Sequence, residues 1–562
     1  MLIKAATIDD GATLETDVCI IGAGAAGIAL AIELGRAGIA TILLEAGSVS
    51  GSARSQRLYR GAVNDPDRHL APDRDRSRGL GGTTALWGGR CMPYDPIDFA
   101  PRPWIAASGW PIGLDTLEPF YRRAQRYVDC GAYAYDAAAA GLPGALIEGF
   151  RDGAVTTGSI ERWSPPTHFG TSFRPELERS EAIRLVTGGV AVGLEPDRGG
   201  IRVARVTVRT LRGRRFGVRA RRVVLAGGGL ESTRLLLVTG RDRPRALGDH
   251  SGWLGRGYMT HIGGVVARIV FNPGQRIIFG YEQDPEGVYV RRRFRVSDEA
   301  QREHGLVNMY ALLDRPLLDD AQHGSAILSL AYLAKRLVQK QSPGASTGAG
   351  GSALGLYWRH VRNLLTGAPE VLSVLPKFGR QRFLSGRRVP SLLLSRADNS
   401  YHLYFHAEQT PDRASAVRLS PSCDHLGVPH LSIDFLVNDD DVDRVYRSHC
   451  IIDEELRGQG VGRLAFLGAD PRADIRACKA TLGHHVGTAR MAADPADGVV
   501  DPDCRVHGVE NLYVASSAVF PTSSQAHPTL TIVALALRLA DHLRGIDAGN
   551  HAASVQRDLV AG

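Results

Sequence analysis

The chain has 562 residues, with 67 Lys and Arg against 59 Asp and Glu, and 44% of its residues are hydrophobic. This balance is typical of a globular protein with a large core, and it excludes a disordered chain, a collagen-like repeat and a small disulfide scaffold. No run of about 20 apolar residues predicts a membrane-spanning helix. We find neither a secretory leader pattern nor a CxxC pair, so the sequence predicts a cytoplasmic protein with reduced thiols and no metal site.

The N-terminal segment predicts a βαβ unit. Short apolar strands are expected at 18–21 and 41–44, and the pattern from 25 to 37 is that of a helix. Two strands joined by one helix form a parallel pair, so the sequence predicts a parallel sheet.

The turn of this unit has the glycine pattern of a dinucleotide site. Gly22, Gly24 and Gly27 follow the first strand and open the helix, where the backbone can approach a pyrophosphate at the helix N-terminus. Glu45 ends the second strand, and a carboxylate at this place can accept hydrogen bonds from ribose hydroxyls. An acid there disfavours a 2′-phosphate, so the pattern predicts FAD or NAD rather than NADP.

A second glycine-rich segment, GLGGTTALWGG, spans residues 79–89. Such glycine density allows the backbone to lie against a flat ligand. A single tryptophan is more often a core residue, but Trp87 is followed by Gly88 and Gly89 and is surrounded by further glycines. We therefore predict that Trp87 lines a cofactor.

The C-terminal part contains two histidine elements. His484 begins HHVGTARM, and His527 begins HPTLT, in which Pro528 suits the first position of a helix. This places His527 at the positive end of that helix, where an anion is stabilised. A neutral imidazole, with a pKa near 6.5, is suited to take a proton from an alcohol at working pH. We predict that both histidines are functional rather than structural.

These motifs together resemble those of the glucose–methanol–choline (GMC) oxidoreductases. GAGAAG with its distal glutamate, GGTTALWGG, GWPIGLDTLEPFY and the long block from HHVGTARM to HPTLTIVALALRLADHL occur in the family's order and spacing. The resemblance implies an α/β plus α+β fold: a Rossmann-like FAD-binding domain assembled from discontinuous segments, with an inserted substrate domain built on an antiparallel sheet. It implies FAD-binding segments at 1–130, 182–262 and 481–562, and substrate-domain segments at 131–181 and 263–480.

The resemblance also assigns residues. His484 matches the catalytic base, with His485 the less favoured neighbour, and His527 matches a second catalytic residue that is Asn or His in the family. Related chains with the PTLTI ending commonly have Asn at that position, so His527 is a departure. The matched cofactor-binding residues are Gly22, Gly24, Gly27, Glu45, Trp87, Gly88, Gly89, Val190, Ala226, Ser516, Thr529 and Leu530.

Among these residues, Val190 is expected at the adenine, Trp87 and the two glycines after it at the isoalloxazine, and Thr529 with Leu530 at its pyrimidine edge. Some relatives attach FAD through a histidine after the paired glycine. Residues 84–86 contain none, so we predict non-covalent FAD.

The implied activity is oxidation of an alcohol to a carbonyl by proton abstraction and hydride transfer to flavin N5. We predict a sugar, glycoside or aminoglycoside-like polyol as substrate, and O2 or another compound as electron acceptor. One alternative is a hydrophobic, aromatic or sterol alcohol, and another is a GMC-type lyase without net oxidation. A NAD-dependent dehydrogenase is supported by the glycine pattern alone, and no motif predicts nucleic-acid binding.

Charge is concentrated in one segment. Residues 331–390 contain ten Lys or Arg and one acid, Glu370, whereas the whole chain has a net charge of +8. We interpret the 320–390 region as an inserted helical hairpin or lid with a solvated basic face. Docking to a membrane or an electron acceptor is the less favoured alternative.

Overall fold

The computed structural model describes the chain to Ala561, except for 242–248, 315–320, 340–352, 395, 397 and 482. In the described residues a mainly parallel sheet is assembled from distant parts of the chain. Its strands, in sheet order, are Leu2–Lys4, Ile183–Thr187, Thr41–Glu45, Thr13–Ile21, Arg215–Leu225, Val203–Thr210 and Gly189–Pro196, with Leu512–Val514 also paired to Arg215–Leu225.

The centre of this sheet consists of strands buried on both faces. Thr41–Glu45 is buried along its whole length, as expected for a strand of a parallel sheet covered by helices. It pairs in parallel with Thr13–Ile21, which confirms the predicted βαβ unit, with its helix at Ala25–Arg36. Both Leu512–Val514 and Thr13–Ile21 pair in parallel with Arg215–Leu225, so the C-terminal motifs reach the same sheet edge as the N-terminal glycines.

A second, antiparallel sheet lies beside the first. Its strands, in order, are Gly462–Phe466, His261–Phe271, Ser400–Glu408, Met309–Asp314, Phe294–Val296 and Val155–Thr156. Two smaller sheets contain Glu282–Gln283, Tyr289–Arg292, Ile160–Trp163 and Arg90–Cys91, and Ala416–Cys423, Pro429–Asp434 and Gly61–Val63. The discontinuous parallel sheet and the separate antiparallel sheet agree with the predicted fold class, whereas the domain boundaries stay predictions.

The α-helices cover these sheets. They span Ala25–Arg36, Ala53–Gln56, Pro96–Phe99, Leu114–Val128, Phe169–Ser172, Arg174–Arg179, Gly228–Gly240, Asp298–His304, Ala326–Gln339, Ala353–Thr366, Ala368–Gly379, Asp439–Gly458, Pro471–Arg476 and Thr529–Ala561. In the described residues no helix is both long and apolar enough to cross a bilayer.

Local sequence signals set the helix ends. The Asn438 side chain accepts the backbone N–H of Asp441 at 2.7 Å, which caps Asp439–Gly458 at its N-terminus. In the basic region, Gly367 separates the helix Ala353–Thr366 from the helix Ala368–Gly379. The Gly- and Ser-rich composition of 341–355 predicts a loop, and most of that segment lies outside the described residues.

Candidate active site

A cavity of about 690 Å³ opens across the carboxyl ends of the parallel strands. Gly22, Glu45, Ala226 and Ser516 line it, and each stands at or just beyond the end of one of these strands. Ligands of open α/β sheets bind at this edge, because the loops that follow the strands diverge there. The sheet topology therefore brings four of the predicted residues together.

Of the three glycines in the turn, only Gly24 has open space where a side chain would begin. A Cβ added to Gly22, whose φ is +112°, would lie 2.5 Å from the Ala226 carbonyl oxygen, and one on Gly27 would lie 1.9 Å from the Gly22 oxygen. A Cβ on Gly24 would meet no atom within 4 Å. Gly22 and Gly27 thus allow close packing of the turn, while Gly24 faces the open cavity at the uncapped start of the helix Ala25–Arg36. Such a helix end suits a pyrophosphate.

Glu45 is held rigidly at the cavity wall. Its two carboxylate oxygens accept the backbone N–H groups of Gly47 at 2.7 Å and Ala23 at 3.1 Å. Burial raises the pKa of Glu45, and these two N–H donors partly oppose that shift. Each oxygen keeps a second lone pair, so the carboxylate can still accept a hydrogen bond from a ribose hydroxyl.

Most of the other predicted cofactor residues line the same space. Trp87, Gly88, Gly89 and Thr529 lie on the cavity wall, and Val190 lines a smaller adjoining recess that also includes Gly22 and Glu45. Leu530 is fully buried in the hydrophobic core and is not on the wall. The residues present therefore fit a dinucleotide, while the expected places of its adenine at Val190 and of its isoalloxazine at Trp87 stay predictions.

Four imidazoles form a histidine cluster at that other end: His261, His406, His484 and His527. His261 and His406 belong to adjacent antiparallel strands, with ring centres 4.4 Å apart. His484 and His527 come from the two C-terminal motifs and line the cavity. His406 stacks on His527 with ring centres 4.8 Å apart and planes 5° from parallel.

Hydrogen bonds fix the tautomers of three of these rings. His261 Nε2 lies 3.0 Å from the Ser523 carbonyl oxygen, an acceptor, so in the neutral ring Nε2 holds the proton. His261 Nδ1 must then accept, and it receives Nδ1–H of His484 at 3.0 Å. This leaves Nε2 of His484 unprotonated, with Nδ1 of His527 3.1 Å away as its donor.

Arg90 and Tyr310 complete the chain of hydrogen bonds. Arg90 donates to the Tyr310 hydroxyl at 2.7 Å, and that hydroxyl lies 3.3 Å from His527 Nε2. The Arg90 charge is balanced by the buried Glu161, 3.3 Å away. The hydrogen bonds thus all point in one direction. They lead from Arg90 through Tyr310, His527, His484 and His261 to the Ser523 carbonyl oxygen.

The cluster is neutral at ordinary pH. Burial, then neighbouring imidazoles, then Arg90 hold the pKa values of His484 and His527 well below the usual histidine value. Burial lowers the pKa of His261 to about 4, and burial together with the neighbouring His261 and His484 holds the pKa of His406 well below the usual histidine value. An uncharged His484 with an unprotonated Nε2 is the form that can accept a proton.

His485 is positioned differently from His484. Its Nδ1 is 2.7 Å from the Tyr258 hydroxyl, and its Nε2 is 3.3 Å from a carboxylate oxygen of Asp75. Both ring nitrogens therefore face protein groups, which agrees with its placement as the less favoured base.

Three rings of the cluster also offer a set of potential metal ligands. Nitrogen atoms of His261, His406 and His484 lie within 4.8 Å of one another. Two imidazoles on tetrahedral zinc have nitrogens about 3.3–3.4 Å apart, given Zn–N bonds of about 2.0–2.1 Å. The 3.0 Å separation between His261 and His484 instead matches a hydrogen bond, so we interpret the cluster as a hydrogen-bonded one.

Sequence reasoning did not identify His261, His406, Arg90 or Tyr310. The two histidines lie within ordinary strands, and no spacing links them to the C-terminal motifs. Arg90 alone had a usable signal, because it directly follows the glycine-rich segment that ends at Gly89.

The neutral cluster predicts acid destabilisation. Below about pH 6.5 the unfolded chain takes up protons on these histidines, while the native rings stay neutral. Stability therefore falls as pH falls. The thermal midpoint of the His406→Phe variant should drop less between pH 7.5 and 5.5 than that of the wild type, because one such imidazole is gone. The exposed His425→Ala serves as control. Equal drops in His406→Phe and wild type would contradict the neutral state of His406.

Two family models match the chain. One described as "FAD dependent oxidoreductase" covers residues 17–307, just over half of the chain. One described as "GMC oxidoreductase" covers residues 411–536, which include His484 and His527. These matches confirm the predicted resemblance.

Relatives and solved structures agree in length and fold. The chain is 27% identical to paromamine 6′-oxidase of Streptomyces fradiae, over 96% of this chain and 93% of that protein. It is 25% identical to 6‴-hydroxyparomomycin C oxidase of Streptomyces lividus, over 94% and 92%. The structure of a pyridoxine 4-oxidase from Mesorbium loti matches with a TM-score of 0.52 at 18% identity, over 94% of this chain and 99% of that one, which shows a shared fold.

Proposed function

The chain belongs to the FAD-dependent oxidoreductases of the GMC type, and from this premise we propose that it oxidises an alcohol of a sugar, glycoside or aminoglycoside-like polyol to a carbonyl. The observation that carries the proposal is the contact between His484 Nε2 and His527 Nδ1 on the cavity wall. One nitrogen offers a lone pair and the other an N–H, which matches the donor and acceptor of a single hydroxyl group.

The substrate class is supported by the relatives and by the cavity. The two Streptomyces proteins are named as oxidases of paromamine and of 6‴-hydroxyparomomycin C. Trp87 and Trp163 line the cavity and offer apolar faces, while Arg90 and the two histidines supply polar groups. This combination suits a ring that has both C–H faces and several hydroxyls.

The alcohol hydroxyl would enter between the two rings and replace their direct hydrogen bond. It would donate to His484 Nε2 and accept from His527 Nδ1–H, so that His484 removes the hydroxyl proton while His527 holds the oxygen. FAD, held by the glycine turn, Glu45 and the Trp87 loop, supplies the acceptor of the hydride at its N5. Arg90 and Tyr310 keep His527 in the donating tautomer.

His261 acts in this scheme as a positioning residue. Its Nδ1 lone pair, fixed by the Ser523 carbonyl, holds the proton of His484 on Nδ1 and so leaves Nε2 unprotonated. The hydrogen-bond chain ends at that carbonyl, which cannot take up a proton. His261 therefore sets the tautomer of the base and offers no exit for the proton.

We expect FAD to be bound without a covalent link. Thr84, Ala85 and Leu86, in the loop after the glycine pair Gly81 and Gly82, provide no histidine for such a link. Denaturing the purified holoenzyme in acid and removing the precipitate should leave all of the yellow absorbance in the supernatant. Yellow colour that stays with the precipitated protein would contradict this prediction.

The activity is tested by anaerobic loss of the visible flavin absorbance on addition of sugars, glycosides, aminoglycosides or hydrophobic alcohols, followed by air. Bleaching by a carbohydrate supports the proposed substrate class. Bleaching by hydrophobic alcohols alone would keep the mechanism and overturn the substrate class, and no bleaching by any alcohol would favour a lyase. Fast recovery in air would indicate an oxidase and slow recovery a dehydrogenase.

A further inference from the structure

The segment 353–384, here called the basic hairpin, exposes an unusual amount of apolar surface. It consists of the helices Ala353–Thr366 and Ala368–Gly379 and the turn Arg380–Leu384. Among the described residues twelve large apolar side chains are exposed, and half of them lie in this short segment: Tyr357, Trp358, Leu365, Leu372, Phe383 and Leu384. Isolated exposed apolar residues are normal, but a concentration of this kind marks an interaction surface.

The exposure of individual side chains is high. Leu365 and Leu372 are each 76% exposed, and Leu384 is 81% exposed. Side chains that pack partly against their own fold have much smaller exposed fractions than these. A basic face that is only solvated would expose cations here without such leucines. The structure therefore favours a docking surface over the solvated basic face expected from the sequence.

Cations are interleaved with these apolar side chains. Trp358, Arg362 and Leu365 follow one another at intervals of four and three residues, which places them on one helix face. Lys377 on the second helix and Arg380 at the start of the turn are exposed among the apolar positions. Tryptophan, leucine and arginine on one exposed face are typical of helices that lie in the plane of a membrane interface.

We propose that the basic hairpin docks this protein on the surface of an anionic lipid bilayer. The apolar side chains would enter the boundary between headgroups and acyl chains, while Arg359, Arg362, Lys377 and Arg380 would meet lipid phosphates. Charge complementarity supports this occupant, because the segment 331–390 has ten basic residues and one acid. The attachment is peripheral, since no described helix is long and apolar enough to cross the bilayer.

The inner face of the hairpin contacts the wall of the cavity. Phe378 packs in one apolar cluster with Trp163, Tyr289 and Val389, and Trp163 also lines the cavity. Arg387, just after the hairpin, donates to the backbone oxygen of Asp129 at 2.9 Å and pairs with its carboxylate. The docking surface is therefore tied to the catalytic body on its inner side and free on its outer side.

The proposal is tested by co-sedimentation of the FAD-loaded, full-length protein with vesicles. We expect binding to vesicles of phosphatidylcholine with phosphatidylglycerol, little binding to phosphatidylcholine alone, and weaker binding as NaCl rises from about 0.05 to about 0.5 M. One variant combines Leu365→Ser, Leu372→Ser and Phe383→Ser. A second combines Arg359→Gln, Arg362→Gln, Lys377→Gln and Arg380→Gln and leaves the apolar residues intact.

Each variant should reduce the partition coefficient about tenfold or more. The matched control, Ile201→Ser with Leu467→Ser, removes two exposed apolar side chains outside the hairpin and should bind as the wild type does. Failure of the intact protein to bind anionic vesicles, or equal binding by both hairpin variants and wild type, would overturn the proposal. A dimer in solution that the serine variant converts to a monomer would also overturn it, because a second copy would then cover this surface.

Discussion

Replacing His484 with alanine is expected to lower kcat for alcohol oxidation by about 10²–10⁴-fold, with FAD still bound. The reason is the loss of the Nε2 lone pair that faces the cavity beside His527. Anaerobic single-turnover bleaching of the flavin measures this step directly, and the absorbance spectrum reports whether FAD is retained. His527→Asn should cost less than His484→Ala, because the amide keeps an N–H donor for the alcohol oxygen.

The control for this experiment is His425→Ala, which removes an exposed imidazole outside the cavity and should leave kcat unchanged. Full activity of His484→Ala with normal flavin content would show that another group is the base. If His484→Ala loses its flavin, kcat is measured on His484→Gln instead, because glutamine is closer in size to histidine and also lacks the basic nitrogen.

Replacing His261 with phenylalanine is expected to lower kcat by about 10- to 100-fold, by analogy with the loss of a group that orients a metal-bound histidine. His484 then loses the acceptor of its Nδ1 proton and can adopt the tautomer with the proton on Nε2, which is unable to act as a base. KM should change little, because His261 does not line the cavity. His261→Gln should restore part of kcat, since its amide oxygen can accept the same proton.

His449→Phe is a matched control for this change. His449 is also fully buried, and its Nδ1 bonds a backbone carbonyl, that of Val445, but it is not part of the cavity wall. Its replacement should leave kcat unchanged. If His261→Phe and His449→Phe lowered kcat equally, or if His261→Gln gave no rescue, the role of His261 would be structural and the tautomer argument would fail.

Features encoded by neighbouring residues were predictable from the sequence. The turn at Gly22 to Gly27, the acid Glu45 at the end of the next strand and the position of His527 before the helix at Thr529 all depend on short-range geometry. Glycine, a strand-ending acid and a proline-led helix start each have a local physical reason for their position. They were sufficient to predict a dinucleotide cavity, and the structure places His527 on its wall.

The environment of those histidines was decided only by tertiary structure. His261 and His484 are separated by 223 residues, and Arg90 and His527 by 437. His261 and His484 meet because the antiparallel sheet brings its strand ends to the same edge as the C-terminal motifs, whereas Arg90 reaches His527 from the strand Arg90–Cys91 of a smaller sheet. A tautomer depends on which group faces each ring nitrogen, and no local pattern in the sequence contains that information.

The basic hairpin also combines features determined by the sequence with features decided only by the tertiary structure. The sequence determined its charge and its alternation of apolar and basic residues, because these follow from composition and helical spacing. Which side chains are exposed was decided by the packing of Phe378 and its neighbours against Trp163, which turns one face inward and leaves the leucines outside. Burial is a property of the whole fold, and a helix with apolar residues on several faces does not by itself specify which face is covered.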